Sequence, residues 1–324
     1  MSLTSQVSLS DLKWQLRNVA RRCRKAVCSK TYQDRNRAPA RSIIVAGTAR
    51  SGTTWLGELI ASQMRCRMMF EPFHTELVSD FAQFNYFQYM RPGQENAALL
   101  DYVRRVMLGE IRHPWIDRYV DTFLPRWRVI KEIRACLFLR WIHDYFPEVP
   151  MVFIIRHPCA VVASRLRLNW ATDGDIKHFL TQKPLLDDFL AESMDIIQGA
   201  ITREEKHAIV WSVSNLVPLQ QMRDTPMHIV FYENLLLHPG EEIPKLFRAI
   251  RQPYDESVFR YAHRASMTTK RKSAILEDTN PTTSWRRELS DTQITRVLRV
   301  VEGFGLGYLY GDSDLPAEKI PNQG

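Results

Sequence analysis

Short runs dominated by apolar residues recur along the chain at 42–46, 68–70, 128–133, 151–155 and 227–231. Runs this short, rich in Val, Ile, Met and Phe, are the pattern of strands buried on both faces of a parallel sheet. Between them the apolar spacing changes to three and four residues, which predicts helices at 55–64, 159–168, 185–199 and 202–223, and another after His238-Pro239. Residues 73–126 hold aromatic and aliphatic side chains at mostly helical spacing, broken at Arg91-Pro92-Gly93 and His113-Pro114. Residues 170–184 are polar and read as a loop. Strands alternating with helices predict an α/β fold, a three-layer α/β/α sandwich around a central parallel sheet.

The loop after the first run carries the sharpest chemistry. Gly47-Thr-Ala-Arg-Ser-Gly-Thr-Thr54 joins the strand at 42–46 to the helix beginning at Trp55. Its two glycines have the spacing of a phosphate-cradling P-loop, where backbone N–H groups and a helix N-terminus face an anion. A nucleotide-hydrolysing loop reads GxxxxGK[ST], and here Thr53 stands at the lysine position. The ammonium that reaches β- and γ-phosphates is therefore missing. No carboxylate ends the run at 151–155 to hold Mg²⁺, and no metal site is expected.

The words Arg50-Ser-Gly-Thr-Thr-Trp55 resemble the 5′-phosphosulfate loop of sulfotransferases, and the likeness extends over about residues 42–310. It implies a P-loop-like fold and the cofactor 3′-phosphoadenosine 5′-phosphosulfate (PAPS), with 3′-phosphoadenosine 5′-phosphate (PAP) as product. By resemblance, Arg50 lies near the sulfonate, Ser51, Gly52, Thr53 and Thr54 hold the 5′-phosphate, and Trp55 stacks near the adenine. Arg156-His157-Pro158, with Ser164 eight residues after Arg156, is similar to the family's 3′-phosphate grip. A guanidinium and a hydroxyl suit a phosphate dianion. Tyr232-Glu233-Asn234-Leu235 resembles the segment whose tyrosine approaches the adenine, with Asn234 in place of the commoner aspartate. Trp285–Arg286 resembles the pair that closes over the nucleotide in carbohydrate sulfotransferases, and Lys270-Arg271-Lys272 competes for that role.

Transfer of a sulfonate to a hydroxyl needs a base to take the acceptor proton and cations around the sulfonate. The histidine that cytosolic members place two residues beyond a strand lysine is absent, since Lys131 is followed by Glu132 and Ile133. The carbohydrate-type branch uses a glutamate ending the second strand, and Glu71 stands there, with His74 and Glu132 in reserve. Lys131 then neutralises charge at the leaving phosphate. The expected activity is sulfonate transfer to a hydroxyl of a glycan, glycolipid or other alcohol. The alternatives are a P-loop small-molecule kinase and a catalytically silent scaffold of the same fold. The insertions at 73–126 and 170–223 are candidates for the acceptor pocket and its lid, and the cluster Phe81, Phe84, Tyr86, Phe87 and Tyr89 could contact a sugar, line a lipid channel or be core.

At 324 residues, 45% apolar and 25% charged, the chain has the composition of a globular protein. Residues 1–41 hold ten Lys/Arg and two Asp/Glu, which accounts for the whole net charge of +8 and leaves 34 basic and 34 acidic residues elsewhere. The basicity therefore calls for no nucleic-acid partner of the main domain. Leu9, Leu12, Leu16, Val19, Cys23 and Val27 predict a basic amphipathic helix followed by a linker at 29–41. Residues 9–28 could lie on an anionic membrane, grip an acidic partner or pack on their own domain. The expected division is 1–41, a sulfotransferase domain at 42–312, and a tail at 313–324. Five cysteines without metal-ligand spacing, no apolar run near eighteen residues and no signal-peptide core point to a cytoplasmic protein with reduced thiols.

Overall fold

The computed structural model describes residues 27–262 and 280–317. Five parallel strands, β1 (Ser42–Ala46), β2 (Cys66–Phe70), β3 (Trp127–Glu132), β4 (Met151–Ile155) and β5 (His228–Phe231), form one sheet in the order β2-β3-β1-β4-β5. Alternation along each strand divides the core in two. Ile43 and Val45 of β1 point to one face with Val129, Val152, Ile154 and Val230, and pack beneath α1 (Thr53–Ala61). Ile44 and Ala46 point to the other, with Ile130, Phe153 and Ile155. That second face is covered by α2 (Ala97–Met107), α3 (Leu139–Tyr145), α4 (Pro158–Arg167), α5 (Asp173–Leu180) and α6 (Arg203–Gln221). On the first face α7 (Pro239–Ala249) lies beside α1, and α8 (Asp291–Gly303) joins the second.

The helix ends follow local chemistry. Pro158 opens α4 where its missing N–H costs nothing. Capping boxes Thr202–Glu205 and Ser290–Gln293 start α6 and α8. Strand order reverses at β1, so the loops leaving β1 and β4 diverge and open a crevice at the carboxyl ends of the strands.

Three expectations change. The stretch at 170–184 contains α5, a polar helix that buries Phe179 and has Asp173 and Asp175 in its first turn, where acids suit the helix dipole. The single helix expected at 185–199 is a succession of short turns ending in the helix Met194–Gly199. The linker at 29–41 is anchored. Residues 27–31 are helical, and Tyr32 and Asp34 are buried. Tyr32 Oη donates to Asp117 at 3.0 Å, and Arg128 of β3 donates to Asp34 at 3.0 Å and to the carbonyl of Ala38 at 2.7 Å. Arg67 of β2, fully buried, donates to the same Asp117 at 2.8 Å. Sequence spacing carries no trace of this network because its acids and arginines come from four separate segments. The basic helix expected over 9–28 lies outside the described residues except for its end. Among the described residues no helix is long and apolar enough to cross a membrane.

Candidate active site

The loop from β1 to α1 is held open by close packing. A Cβ on Gly47 would sit 2.4 Å from the carbonyl oxygen of Ile154, and one on Gly52 would sit 2.8 Å from the Tyr232 ring. Gly52 also has φ 99°, a conformation suited to glycine. Arg50 adopts φ 78° and directs its side chain across the crevice, where Nε donates to Ser164 Oγ of α4 at 3.0 Å. Arg156, just past β4, donates to the carbonyls of Arg50 at 3.3 Å and Pro281 at 3.0 Å. Its guanidinium lies 4.3 Å from the centre of the Tyr232 ring, whose other neighbour is Trp55, edge-on at 5.2 Å. Arg50, Ser51, Gly52, Thr53, Thr54, Trp55, Arg156, Ser164 and Tyr232 thus converge on one side of the crevice.

That side is electrostatically unfinished. Among the described residues no carboxylate pairs with Arg50 or Arg156. Burial, with Arg156 and Arg167 nearby, lowers the Arg50 guanidinium to about 10. The hydroxyls of Thr48 and Ser51 and Nε of Arg156 are buried without hydrogen-bond partners. Buried donors without acceptors are costly, and two uncompensated cations beside a helix N-terminus form a cradle for a polyanion.

The other side is built from β2 and β3. Phe70 pairs in register with Lys131, which brings Glu71, the next residue, beside the end of β3. Glu71 turns out at φ 49° while its N–H still donates to the Lys131 carbonyl at 2.8 Å. Its carboxylate is clamped by Lys131 Nζ at 2.5 Å and Arg134 Nη1 at 2.7 Å. Burial alone raises its pKa, but the two cations outweigh burial and hold the carboxyl at about 2. Glu132 faces away and accepts from the backbone N–H groups of Phe73 at 2.8 Å, Ile133 at 3.0 Å and Arg134 at 3.2 Å. Burial and neighbouring Glu71 push it up to about 7. His74 packs edge-on against Tyr86 and Trp115, its Nδ1 buried and unpartnered. Burial and Arg134 lower it to about 4, so it is neutral at pH 7.

Trp285 and Arg286 stand apart from the loop. Trp285 is buried and stacks on His157 at 4.5 Å, and Arg286 pairs with Asp314 at 2.7 Å. It is the preceding turn, through Pro281, that touches Arg156. His157 Nε2 lies 3.1 Å from the Ser313 carbonyl, so residues of the expected tail brace this corner. Lys270-Arg271-Lys272 lies outside the described residues. Two participants escaped the sequence reading. Thr48 is an inconspicuous letter inside the loop, and Arg134 reaches Glu71 only because of the turn at φ 49°. Of the aromatic cluster, Phe81, Phe87 and Tyr89 are buried, and Tyr86 and Phe87 line a cavity of about 380 Å³ that begins at Thr48 and Ala49. A larger groove of about 1890 Å³ runs beside β5 and includes none of the loop, Glu71 or Lys131.

The family model described as "Sulfotransferase family" matches residues 42–256, which spans all five strands and both halves of the crevice. The chain belongs to the sulfotransferase family. Nodulation protein NoeE of Sinorhizobium fredii is 24% identical to this sulfotransferase over 271 residues, covering 79% of this chain and 62% of NoeE. The chain thus spans less than two thirds of that relative. Among solved structures, the sulfotransferase domain from the curacin biosynthetic pathway has a TM-score of 0.45 at 14% identity, covering 83% of this chain and 99% of that one. Mouse sulfotransferase SULT7A1 complexed with PAP has a TM-score of 0.41 at 11% identity, covering 86% of this chain and 87% of its own.

Proposed function

We propose that this sulfotransferase transfers a sulfonate from PAPS to a hydroxyl group. The observation that carries the reading is the unfinished cradle: Arg50 and Arg156 have no carboxylate partner among the described residues, and Thr48 and Ser51 present buried hydroxyls with nothing to bond. PAPS has two anionic groups, and the cradle has two cationic ends. Residues Arg50, Ser51, Gly52, Thr53 and Thr54 would hold the 5′-phosphosulfate, and Arg156 with Ser164 the 3′-phosphate. Trp55 and Tyr232 would border the adenine. Trp285 and Arg286 brace the Arg156 turn from behind, through His157 and Asp314.

When bound, PAPS supplies the sulfonate and a 5′-phosphate leaving group. The acceptor oxygen forms the new S–O bond as the bond from sulfur to the 5′-phosphate oxygen breaks, and the acceptor proton passes to Glu71. Arg50 and Lys131 offset the charge that develops on the leaving oxygen. In the present arrangement Glu71 is ionised but weakly basic, because two cations hold it. Turning Lys131 toward the sulfonate removes one of them, so basicity rises in step with cofactor binding. The acceptor we favour is a carbohydrate, glycolipid or similar alcohol.

Calorimetric titration with PAP, and with ATP plus Mg²⁺, on the wild type and Arg156→Ala tests this reading. The wild type should prefer PAP. Loss of one charge-assisted phosphate contact, about 1.5–3 kcal/mol, should weaken PAP binding by about 10- to 150-fold in Arg156→Ala. Preference for ATP with Mg²⁺, or no nucleotide binding by the wild type, would overturn it.

A further inference from the structure

The cavity that starts at Thr48 and Ala49 is bounded by the insertions at 73–126 and 170–223. Its size, about 380 Å³, is at the small end of the roughly 300–1,000 Å³ range of ligand pockets. Apart from Thr48, which it shares with the cradle, two of its lining residues carry buried polar atoms without partners: Arg134 Nε and Arg165 Nε. Both can donate a hydrogen bond, and among the described residues nothing accepts from them.

Both arginines here have a carboxylate partner, unlike those of the neighbouring cradle. Arg134 is matched by Glu71 at 2.7 Å, and Arg165 by Asp175 at 2.7 Å. The wall between these pairs is aromatic. Arg134 lies over the Tyr86 ring at 4.5 Å, Tyr86 stacks on His178 at 5.3 Å, and Arg165 approaches Trp170 at 5.5 Å. Arg134 also donates to Tyr86 Oη at 2.7 Å, which links the cavity wall to the carboxylate of Glu71 in one chain of contacts.

We propose that this cavity is the acceptor subsite and that it takes one uncharged, hydroxyl-rich ring, a sugar residue or cyclic polyol, with the Arg165–Asp175 pair reading its hydroxyls. An anionic acceptor would bring charge to a wall whose cations are already paired. A plain phenol or aliphatic alcohol would leave the unpartnered donors buried and unsatisfied, which is how a hydrogen-bonding site rejects an analogue lacking the group it expects. Aromatic walls meet the C–H faces of the ring while the donors and Asp175 meet its rim. The inference rests on the sulfonate-transfer reading and narrows its acceptor.

The test uses the full chain loaded with PAP. Binding of a panel of methyl pyranosides, with 4-nitrophenol and cyclohexanol as controls, is followed by saturation-transfer NMR, and turnover with labelled PAPS is measured on the same panel. At least one pyranoside should bind and be sulfonated in preference to both controls. Asp175→Asn should raise its KM at least tenfold while PAP affinity stays within twofold. Trp170→Ala, at a partly buried position, should act in the same direction and serves if Asp175→Asn fails to fold. Normal PAP binding with preference for 4-nitrophenol or cyclohexanol, with no pyranoside engaged, or with pyranoside binding unchanged in both variants, overturns the subsite alone. Failure of the wild type to bind PAP overturns the sulfonate reading, and the subsite with it.

Discussion

As the proposed general base, Glu71 must meet two demands at once, since such a base has to be ionised before the reaction and basic enough to take a proton during it. Lys131 and Arg134 secure the first at the expense of the second, holding the carboxyl at about 2. Glu71→Gln keeps the shape and an acceptor oxygen but removes the proton acceptor. Turnover should fall roughly 10²–10⁴-fold, the usual share of general-base catalysis, with PAP affinity unchanged by calorimetry. His74→Gln supplies the contrast, because a neutral histidine beside the clamp is the other group able to accept a proton. Wild-type turnover in Glu71→Gln together with collapse in His74→Gln would transfer the role to His74. At this scale much of the site was legible. The Arg50, Arg156, Ser164 and Tyr232 motifs meet in space because their spacing places each at a strand end or on the first helix beyond it. Arg134 was not legible, since its approach to Glu71 depends on one residue with positive φ. Nor was the stacking of Trp285 on His157, which only the chain's return at 308–314 makes possible.

The junction of β1, its loop and α1 sets the shape of the cradle, and two glycines set the shape of the junction. At Gly52 an added methyl meets Tyr232 at 2.8 Å, and the backbone holds a conformation that costs an L-residue about 1–2 kcal/mol. Gly52→Ala should therefore lower stability by about 1–3 kcal/mol in denaturant unfolding, and displacement of the Tyr232 ring should weaken PAP binding. A variant with the wild-type unfolding midpoint and PAP affinity would show that the junction yields freely. The strands themselves were readable because a parallel strand covered on both faces has to be apolar nearly throughout. The insertions were harder to read. The segment at 170–184 is polar because α5 shows most of its surface to solvent and buries chiefly Phe179. The turns at 186–193 have helical spacing without a continuous helix.

Across the whole molecule, buried ionisable groups divide into two sets with opposite responses to acid. His74 is lowered to about 4, and His157 and His207 to about 3, each chiefly by burial. The unfolded chain takes up these protons near pH 6.5, so in the window below that it binds more protons than the fold, and acid favours unfolding. Glu132, raised to about 7, and Glu233 and Asp175, raised by burial, do the reverse. Their protons bind to the fold first, so acid favours folding until the unfolded carboxyls titrate, near pH 4.5 for the glutamates and 3.8 for Asp175. The two sets oppose each other between pH 6.5 and 4.5. Below about 4.5 Glu132 is protonated in the fold and increasingly so in the unfolded chain, and its opposition fades. His157 and His207 remain unprotonated in the fold while His74 begins to take up its proton near pH 4, and Glu71, at about 2, now joins the set because the unfolded chain protonates it first. Three groups favouring the unfolded state, at about 1.4 kcal/mol each, amount to about 4 kcal/mol per pH unit, enough to consume a typical stability of about 5–15 kcal/mol within a few units. Thermal unfolding followed by circular dichroism from pH 7 to 3.5 should show a shallow decline to about pH 4.5 and a steeper one below it. A melting temperature that falls as steeply above pH 4.5 as below it would mean that the histidines act without opposition, and that Glu132 is ionised in the native protein.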